Sequence, residues 1–297
     1  MQTDPRRMAS RLAVTQAKRV MVKLGSAVVT RSSGSGIALG RTACIIEQIC
    51  HLQASGREVV LVSSGAVAAG RQILHSQSRM GTDLPIPSRP LPPLSDLPQP
   101  DETLITSQEC ASVGQSSLMA LYDAMFKLYG IQCGQVLIST SSLLDKGPRE
   151  NTCSTIVGLL SKGIVPVINE NDALVPIHHE GDGSIPIPVN DNDAVASVLA
   201  RDLSCEALLL LSNVDGVYTG DPKLSSSDLI STLSASESKE VQFSENSSAG
   251  RGGMSSKVRS AMYAAEAGVS VVIANGLGYR PILDIIDGKE VGTFVHK

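Results

Sequence analysis

Lys23 and Lys257 each stand where a chain can meet a phosphate. Lys23 lies in Lys23-Leu24-Gly25-Ser26, just ahead of a glycine at the end of an apolar run. Lys257 closes Arg251-Gly252-Gly253-Met254-Ser255-Ser256-Lys257, where bare backbone amides and hydroxyls open a helical pattern. Unpaired N–H groups and the dipole at a helix start both attract anions. Two ammonium groups on separate loops of this kind can bracket a polyphosphate. The chain has neither G-x-x-x-x-G-K-[ST] nor a G-x-G-x-x-G after the first strand, which excludes the P-loop and dinucleotide cradles. Each glycine loop alone reads equally well as a tight turn. Their shared position at strand ends is what points to phosphate handling.

Two polar clusters accompany the lysines. A β-branched run, Ile164 to Ile168, reads as a buried strand ending in Asn169-Glu170-Asn171-Asp172. Apolar residues interleaved with Pro and His follow, broken by Glu180-Gly181-Asp182-Gly183, which predicts a β-hairpin. The chain then reaches Asn190-Asp191-Asn192-Asp193 and opens a helix of Ala, Val and Leu. Such side chains can cap a helix while facing a ligand, so the two clusters read as walls of a small polar pocket. Ordinary capping and turn chemistry is the bland alternative.

The elements that would carry these groups alternate. Strands are predicted at Val20 to Leu24, Glu58 to Val62, Gln135 to Ile138, Ala207 to Leu211 and Val269 to Ala274. Helices are predicted at Ile37 to Ser55, Ala66 to Leu74, Gln108 to Leu128, Asn151 to Ser161, Asp193 to Ala200 and Ser255 to Ala267. Alternation of this sort predicts an α/β fold, a mainly parallel sheet covered by helices on both faces. Ligands in such folds bind beyond the carboxyl ends of the strands, where Lys23, Ser63-Ser64-Gly65, Asn169 to Asp172 and Ser212-Asn213 fall.

Bulk properties narrow the function further. The 297 residues suffice for one large domain, and 42% hydrophobic with 18% charged residues excludes disorder. No apolar run approaches the roughly 20 residues that cross a bilayer, so no membrane partner is expected. A formal net charge of -4, no Trp and three Phe argue against a nucleic-acid partner. Cys44, Cys50, Cys110, Cys133, Cys153 and Cys205 form no C-x-x-C pair and read as reduced thiols in a cytoplasmic protein. His178-His179 has no third ligand at a recognisable spacing, so no metal site is expected. Residues 1–18 are basic, a transit segment or, as the favoured reading, a solvated tail. An insertion at about 79–104 holds seven of the 15 prolines and reads as a surface excursion. Leu224 to Gly250, rich in Ser and Glu, reads as a weakly structured lid or linker.

The runs VMVKLGSAVVT, VVLVSSGAVAAG, VGQSSLMALY, GIVPVINENDAL, NDNDAVASVLA, LLLLSNVDGVYTGDP and GRGGMSSKV, in this order, are similar to those of the glutamate 5-kinases in the amino-acid kinase family. The resemblance covers residues 20 to 297 apart from the Pro-rich insertion. It implies a three-layer α/β/α sandwich around a mainly parallel sheet of about eight strands. It implies a single domain over 19–297, with the amino acid bound over its N-terminal half and ATP over its C-terminal half. The implied reaction passes the γ-phosphoryl of MgATP to the side-chain carboxylate of L-glutamate, the first step of proline biosynthesis, with L-proline as a possible inhibitor. Mg²⁺ is expected on phosphate oxygens and water. A homo-oligomer, dimer or tetramer, is also implied.

A reaction between two anions needs charge neutralisation, which makes Lys23, Lys257 and Asp193 the expected catalytic set, the two ammonium groups on the transferring phosphoryl and its bridging oxygen and Asp193 holding both. Carried over by position, Ser64, Gly65, Asp172 and Asn192 match the glutamate contacts, Asp172 suiting the α-ammonium. Ser212, Asn213 and the Arg251, Gly252, Gly253, Met254, Ser255, Ser256 loop match the nucleotide contacts. The sequence departs from the family at Asn213 (usually Asp), Asn190 (usually Gly) and Cys153 (often Arg). Ending at Lys297, it is expected to lack the PUA-type domain of bacterial relatives and the reductase half of bifunctional synthases. Two alternatives stay open: a kinase for acetylglutamate, aspartate, carbamate or a nucleoside monophosphate, or a non-catalytic proline or glutamate sensor.

Overall fold

The computed structural model describes residues 5–31, 36–80, 106–174, 183, 185–189, 191–222, 224, 227–234 and 253–297. The tip and outgoing arm of the expected hairpin between the polar clusters, the Pro-rich stretch from 81 to 105 and most of the Leu224 to Gly250 segment lie outside those residues; the hairpin's return arm, 185–189, is not strand but irregular chain that packs Ile185, Ile187 and Val189 on the core.

Five apolar runs become the middle of one sheet: β1 (Arg19–Leu24), β2 (Glu58–Val62), β4 (Val165–Glu170), β5 (Ala207–Ser212) and β9 (Ser270–Asn275). Their residues are buried almost end to end, as strands covered on both faces must be. With β3 (Cys133–Ile138), β8 (Thr232–Ser234) and β10 (Thr293–His296) they form an eight-stranded sheet, in the order β3-β4-β2-β1-β5-β9-β10-β8. All neighbouring pairs are parallel except β9 and β10. The chain builds outward from β1 through β2, then crosses to β5 on the other side. The switch point therefore lies between β1 and β5, where open α/β sheets bind ligands.

Alternation along the strands divides the core into two layers. Met21, Val60, Val62 and Ile168 face the layer containing α8 (Asn192–Asp202) and α9 (Met254–Glu266). Val20, Val22, Leu61 and Val167 face the other, with α3 (Leu39–Ala54), α5 (Ser107–Leu128) and α10 (Pro281–Ile286). Helix α8 is buried from Asp193 through Ala200, the burial expected of a helix apolar nearly all round.

Several local expectations are corrected. Residues assigned to a solvated tail include α1 (Pro5–Gln16), whose Val14, together with Ala17 just beyond it, is buried in the second layer. Arg11 adds hydrogen bonds to the Lys289 and Val291 carbonyls, and so sparse an apolar pair is too little to stand out as periodicity. Helix α4 (Ala66–Met80) runs beyond Leu74, and α7 (Lys146–Leu160) begins before Asn151. Leu229–Ile230 (β7) pairs with Val217–Tyr218 (β6), and β8 joins the main sheet, so part of the Ser/Glu-rich stretch is strand. All six cysteines are free.

Candidate active site

In β1 the period of two sets Lys23 on the same face as Met21, under α8 and α9. Asp193, in the first turn of α8, and Lys257, in the first turn of α9, meet it there. The Lys23 ammonium lies 2.7 Å from Asp193 Oδ1, an ion pair outside hydrogen-bond alignment. Lys257 Nζ donates to Oδ2 at 2.7 Å. Lys23, Asp193 and Lys257 are 5%, 3% and 7% exposed, so all three charges are held nearly without water. Burial pushes the Lys23 ammonium below its ordinary range, the Asp193 charge pulls it back up, and Lys257 lowers it again. For Asp193, burial alone raises the carboxyl, but the two ammonium groups outweigh it and hold it well below the usual carboxylate range.

Asp191 completes this end of the site. One carboxylate oxygen caps α8, accepting from the Asp193 and Ala194 N–H groups at 3.0 and 2.9 Å. The other accepts from Ser256 Oγ at 2.7 Å. The sequence marks Asp191 as a cap but gives no sign that it reaches α9.

On the amino-acid side, Gly65 takes φ +106° as β2 turns into α4, a conformation that a side chain resists. Ser64 is 8% exposed. Asn192 joins the two layers across the strand tips. Its Nδ2 faces the Ser63 carbonyl and Ser64 Oγ, both at 3.1 Å, and Asn169 Oδ1 at 2.9 Å. Its Oδ1 accepts from the Glu170 N–H at 3.2 Å. Asn169, missed as a site residue, is 1% exposed and donates from Nδ2 to Gln115 Oε1 on α5 at 2.7 Å. Tyr122 on the same helix meets Ser63 Oγ at 2.6 Å, and burial pushes its phenol up to about 12, so it stays protonated. Asp172 sits in the turn after β4.

Toward the other half, Ser212 ends β5, one strand from Lys23, whose register partner is Leu210. Exposed Asn213 follows. Beside them, Asp215 accepts from Asn275 Nδ2 at 2.8 Å, a contact between the β5 and β9 tips that sequence spacing does not suggest. Gly253 is the N-cap of α9, Met254 packs on the core, and Ser255 is exposed. Arg251 and Gly252 lie outside the described residues. The structure thus gathers Lys23, Asp193 and Lys257 at atomic contact, joins Ser64 to Asn192, and sets Ser212 and Asn213 at the adjoining strand end. The two ammonium groups come not from loops but from the end of β1 and the first turn of α9, an arrangement that can still bracket an anion.

The family model described as "Amino acid kinase family" matches residues 18–275. Over 290 residues the chain is 42% identical to delta-1-pyrroline-5-carboxylate synthase of Mesembryanthemum crystallinum, covering 97% of this chain and 38% of that protein. It is 33% identical over 286 residues to glutamate 5-kinase of Azoarcus sp., covering 95% of this chain and 69% of the relative. Among solved structures, carbamate kinase from Giardia lamblia bound to AMP-PNP superposes with a TM-score of 0.64 at 15% identity, over 95% of this chain and 99% of the other. That last likeness speaks for the fold.

Proposed function

The chain belongs to the amino acid kinase family, and we propose that it transfers the γ-phosphoryl of ATP to the side-chain carboxylate of L-glutamate. The product, L-glutamyl 5-phosphate, stands at the head of proline biosynthesis. The observation that carries this reading is the buried Lys23–Asp193–Lys257 trio at the switch point of the sheet.

A carboxylate is already an anionic nucleophile and needs no general base. The barrier to be lowered is repulsion between two anions, so positioning and charge neutralisation supply the catalysis. One carboxylate oxygen bonds to the γ-phosphorus as the bond to the β,γ-bridging oxygen breaks, and ADP leaves with that electron pair. Lys23 and Lys257 touch the transferring phosphoryl, while Asp193 keeps their ammonium groups side by side. The trio carries one more positive than negative charge, which suits an incoming phosphoryl group. Magnesium arriving with the nucleotide would supply further neutralisation of phosphate charge, and no side chain of the chain is assigned to hold it.

In this reading Asp172 receives the α-ammonium of glutamate, and Ser64 and the Gly65 backbone receive carboxyl oxygens. Asn192 acts through Ser64, since its amide is already engaged by protein groups. Ser212, Asn213 and the loop from Arg251 to Lys257 hold the nucleotide. Residues 19–297 form one catalytic domain of a cytoplasmic homo-oligomer, with proline competing at the glutamate side.

Trapping the acyl phosphate with hydroxylamine tests the reaction. Hydroxamate that needs glutamate, ATP and Mg²⁺ together is the expected result. ADP release with acetylglutamate, aspartate, carbamate or a nucleoside monophosphate, and none with glutamate, would move the substrate. Proline binding without any turnover would make the chain a sensor.

A further inference from the structure

We propose that Gln115 on α5 is a positioning residue for the amino-acid site, acting through Asn169 and Asn192 on the Ser64 hydroxyl. The inference rests on the reading that Ser64 meets the acceptor substrate. Asn192 is pinned by backbone groups of fixed polarity. The Glu170 N–H can only donate, so it faces Oδ1, and the Ser63 carbonyl can only accept, so it faces Nδ2. The Asn169 atom toward Asn192 must therefore be its oxygen, which turns the Asn169 amide nitrogen toward α5. There only an acceptor satisfies it, and Gln115 Oε1 supplies one at 2.7 Å.

The chain of amides has a chemical output at its other end. Ser64 Oγ accepts from Asn192 Nδ2, so its own proton is free to point elsewhere. A hydroxyl fixed as donor selects an oxygen acceptor, such as a substrate carboxylate, over an ammonium group. Asn169 is 1% exposed, so without Gln115 its N–H loses its partner in a site with almost no water. It must then turn to find another, releasing the Asn192 amide that orients Ser64. Gln115 is half-buried at the surface of α5, where a change in its head group need not disturb the apolar core.

Steady-state kinetics of the full chain carrying Gln115→Met or Gln115→Glu, with L-glutamate and MgATP, test this. Gln115→Met is expected to raise KM for glutamate about tenfold, the worth of one hydrogen bond, with KM for ATP unchanged. Gln115→Glu keeps an acceptor in place and is expected to restore KM for glutamate toward the wild-type value. An unchanged glutamate KM in Gln115→Met, an equal rise in both KM values, or a Gln115→Glu enzyme as impaired as Gln115→Met overturns the role. Should Gln115→Met fail to fold, Gln115→Ala removes the acceptor with less bulk and is read the same way. A wild-type protein inactive on glutamate sinks the substrate reading instead. The crystal structure of Gln115→Met then decides: turned Asn169 and Asn192 amides uphold the relay, and unmoved ones overturn it.

Discussion

Asp191 and Ser256 are hydrogen bonded at 2.7 Å, beside the Asp193–Lys257 contact and parallel to it. Asp191 is the N-cap of α8 and Ser256 lies in the first turn of α9. Two adjacent links thus zip the starts of the two helices, and the outer one fixes where the Lys257 ammonium arrives. Ser256→Ala removes the outer link but leaves the cap, so kcat is expected to fall about tenfold with little change in melting temperature. Asp191→Ala removes both link and cap, adding a loss of about 1 kcal/mol in stability. Equal turnover in Ser256→Ala and wild type would show that the inner contact alone positions Lys257.

Charge and fold separate within the trio. Asp193→Asn leaves two buried ammonium groups against a neutral amide and is expected to destabilise by about 3–5 kcal/mol. Lys257→Met keeps the Lys23–Asp193 pair, so its denaturation midpoint should move less. Its kcat is expected to fall about 100- to 1,000-fold, the scale of a lost oxyanion donor. Urea unfolding beside turnover reads both. Near-normal turnover of Lys257→Met would end the catalytic assignment.

The pH profile follows from the two shifted groups. Asp193 is held low, so its contribution to stability is complete above the usual carboxylate range and is lost only as pH falls far into acid. It sets no limit near neutrality. Lys23 loses its proton below the ordinary 10.5 because burial disfavours the charge. Between its lowered pKa and 10.5 the unfolded chain binds more protons than the folded one, so this group makes stability rise with pH while activity falls. The alkaline limb of kcat/KM is therefore expected below the usual lysine range, without a parallel drop in melting temperature from this group. The limb of kcat should lie higher, since bound phosphate favours the ammonium form. Coincident limbs at or above 10.5 would contradict the role given to Lys23.

The sheet was readable because its central strands are largely apolar runs, and the phosphate end because Lys23 and Lys257 each lie within a few residues of glycine at an element boundary. The contacts between elements were harder to read. Asp191 announces a cap, but its second oxygen reaches a serine 65 residues away. Gln115 lies in an ordinary helical surface pattern, and only the face of β4 that carries Val165, Val167 and Asn169 turns it into a partner. The short strands β8 and β10 carry too few residues for periodicity to emerge, and pairing in the sheet defines them.

Helix α5, which reaches Asn169 through Gln115, lies unusually close to α4. A Cβ at Gly114 would fall 1.9 Å from the Ala66 carbonyl oxygen and 2.4 Å from the Gly70 nitrogen, and one at Gly70 would fall 1.7 Å from the Cys110 carbonyl oxygen. All of these are backbone atoms that cannot swing aside. Helix propensity alone favours alanine over glycine by about 1 kcal/mol, so without a clash either substitution would stabilise. With it, Gly114→Ala is expected to cost about 1–3 kcal/mol or more as the helices part. That parting also draws Gln115 from Asn169 and Tyr122 from Ser63, so KM for glutamate should rise while KM for ATP holds. Once one alanine has spread the pair, the second meets a gap already opened, so the double variant should lose less than the sum of the single losses. Thermal melts of both single variants and the double, with KM for each substrate, measure all three effects. A Gly114→Ala protein as stable as wild type, with its glutamate KM unchanged, would show that the close helix contact does not position the amino-acid site.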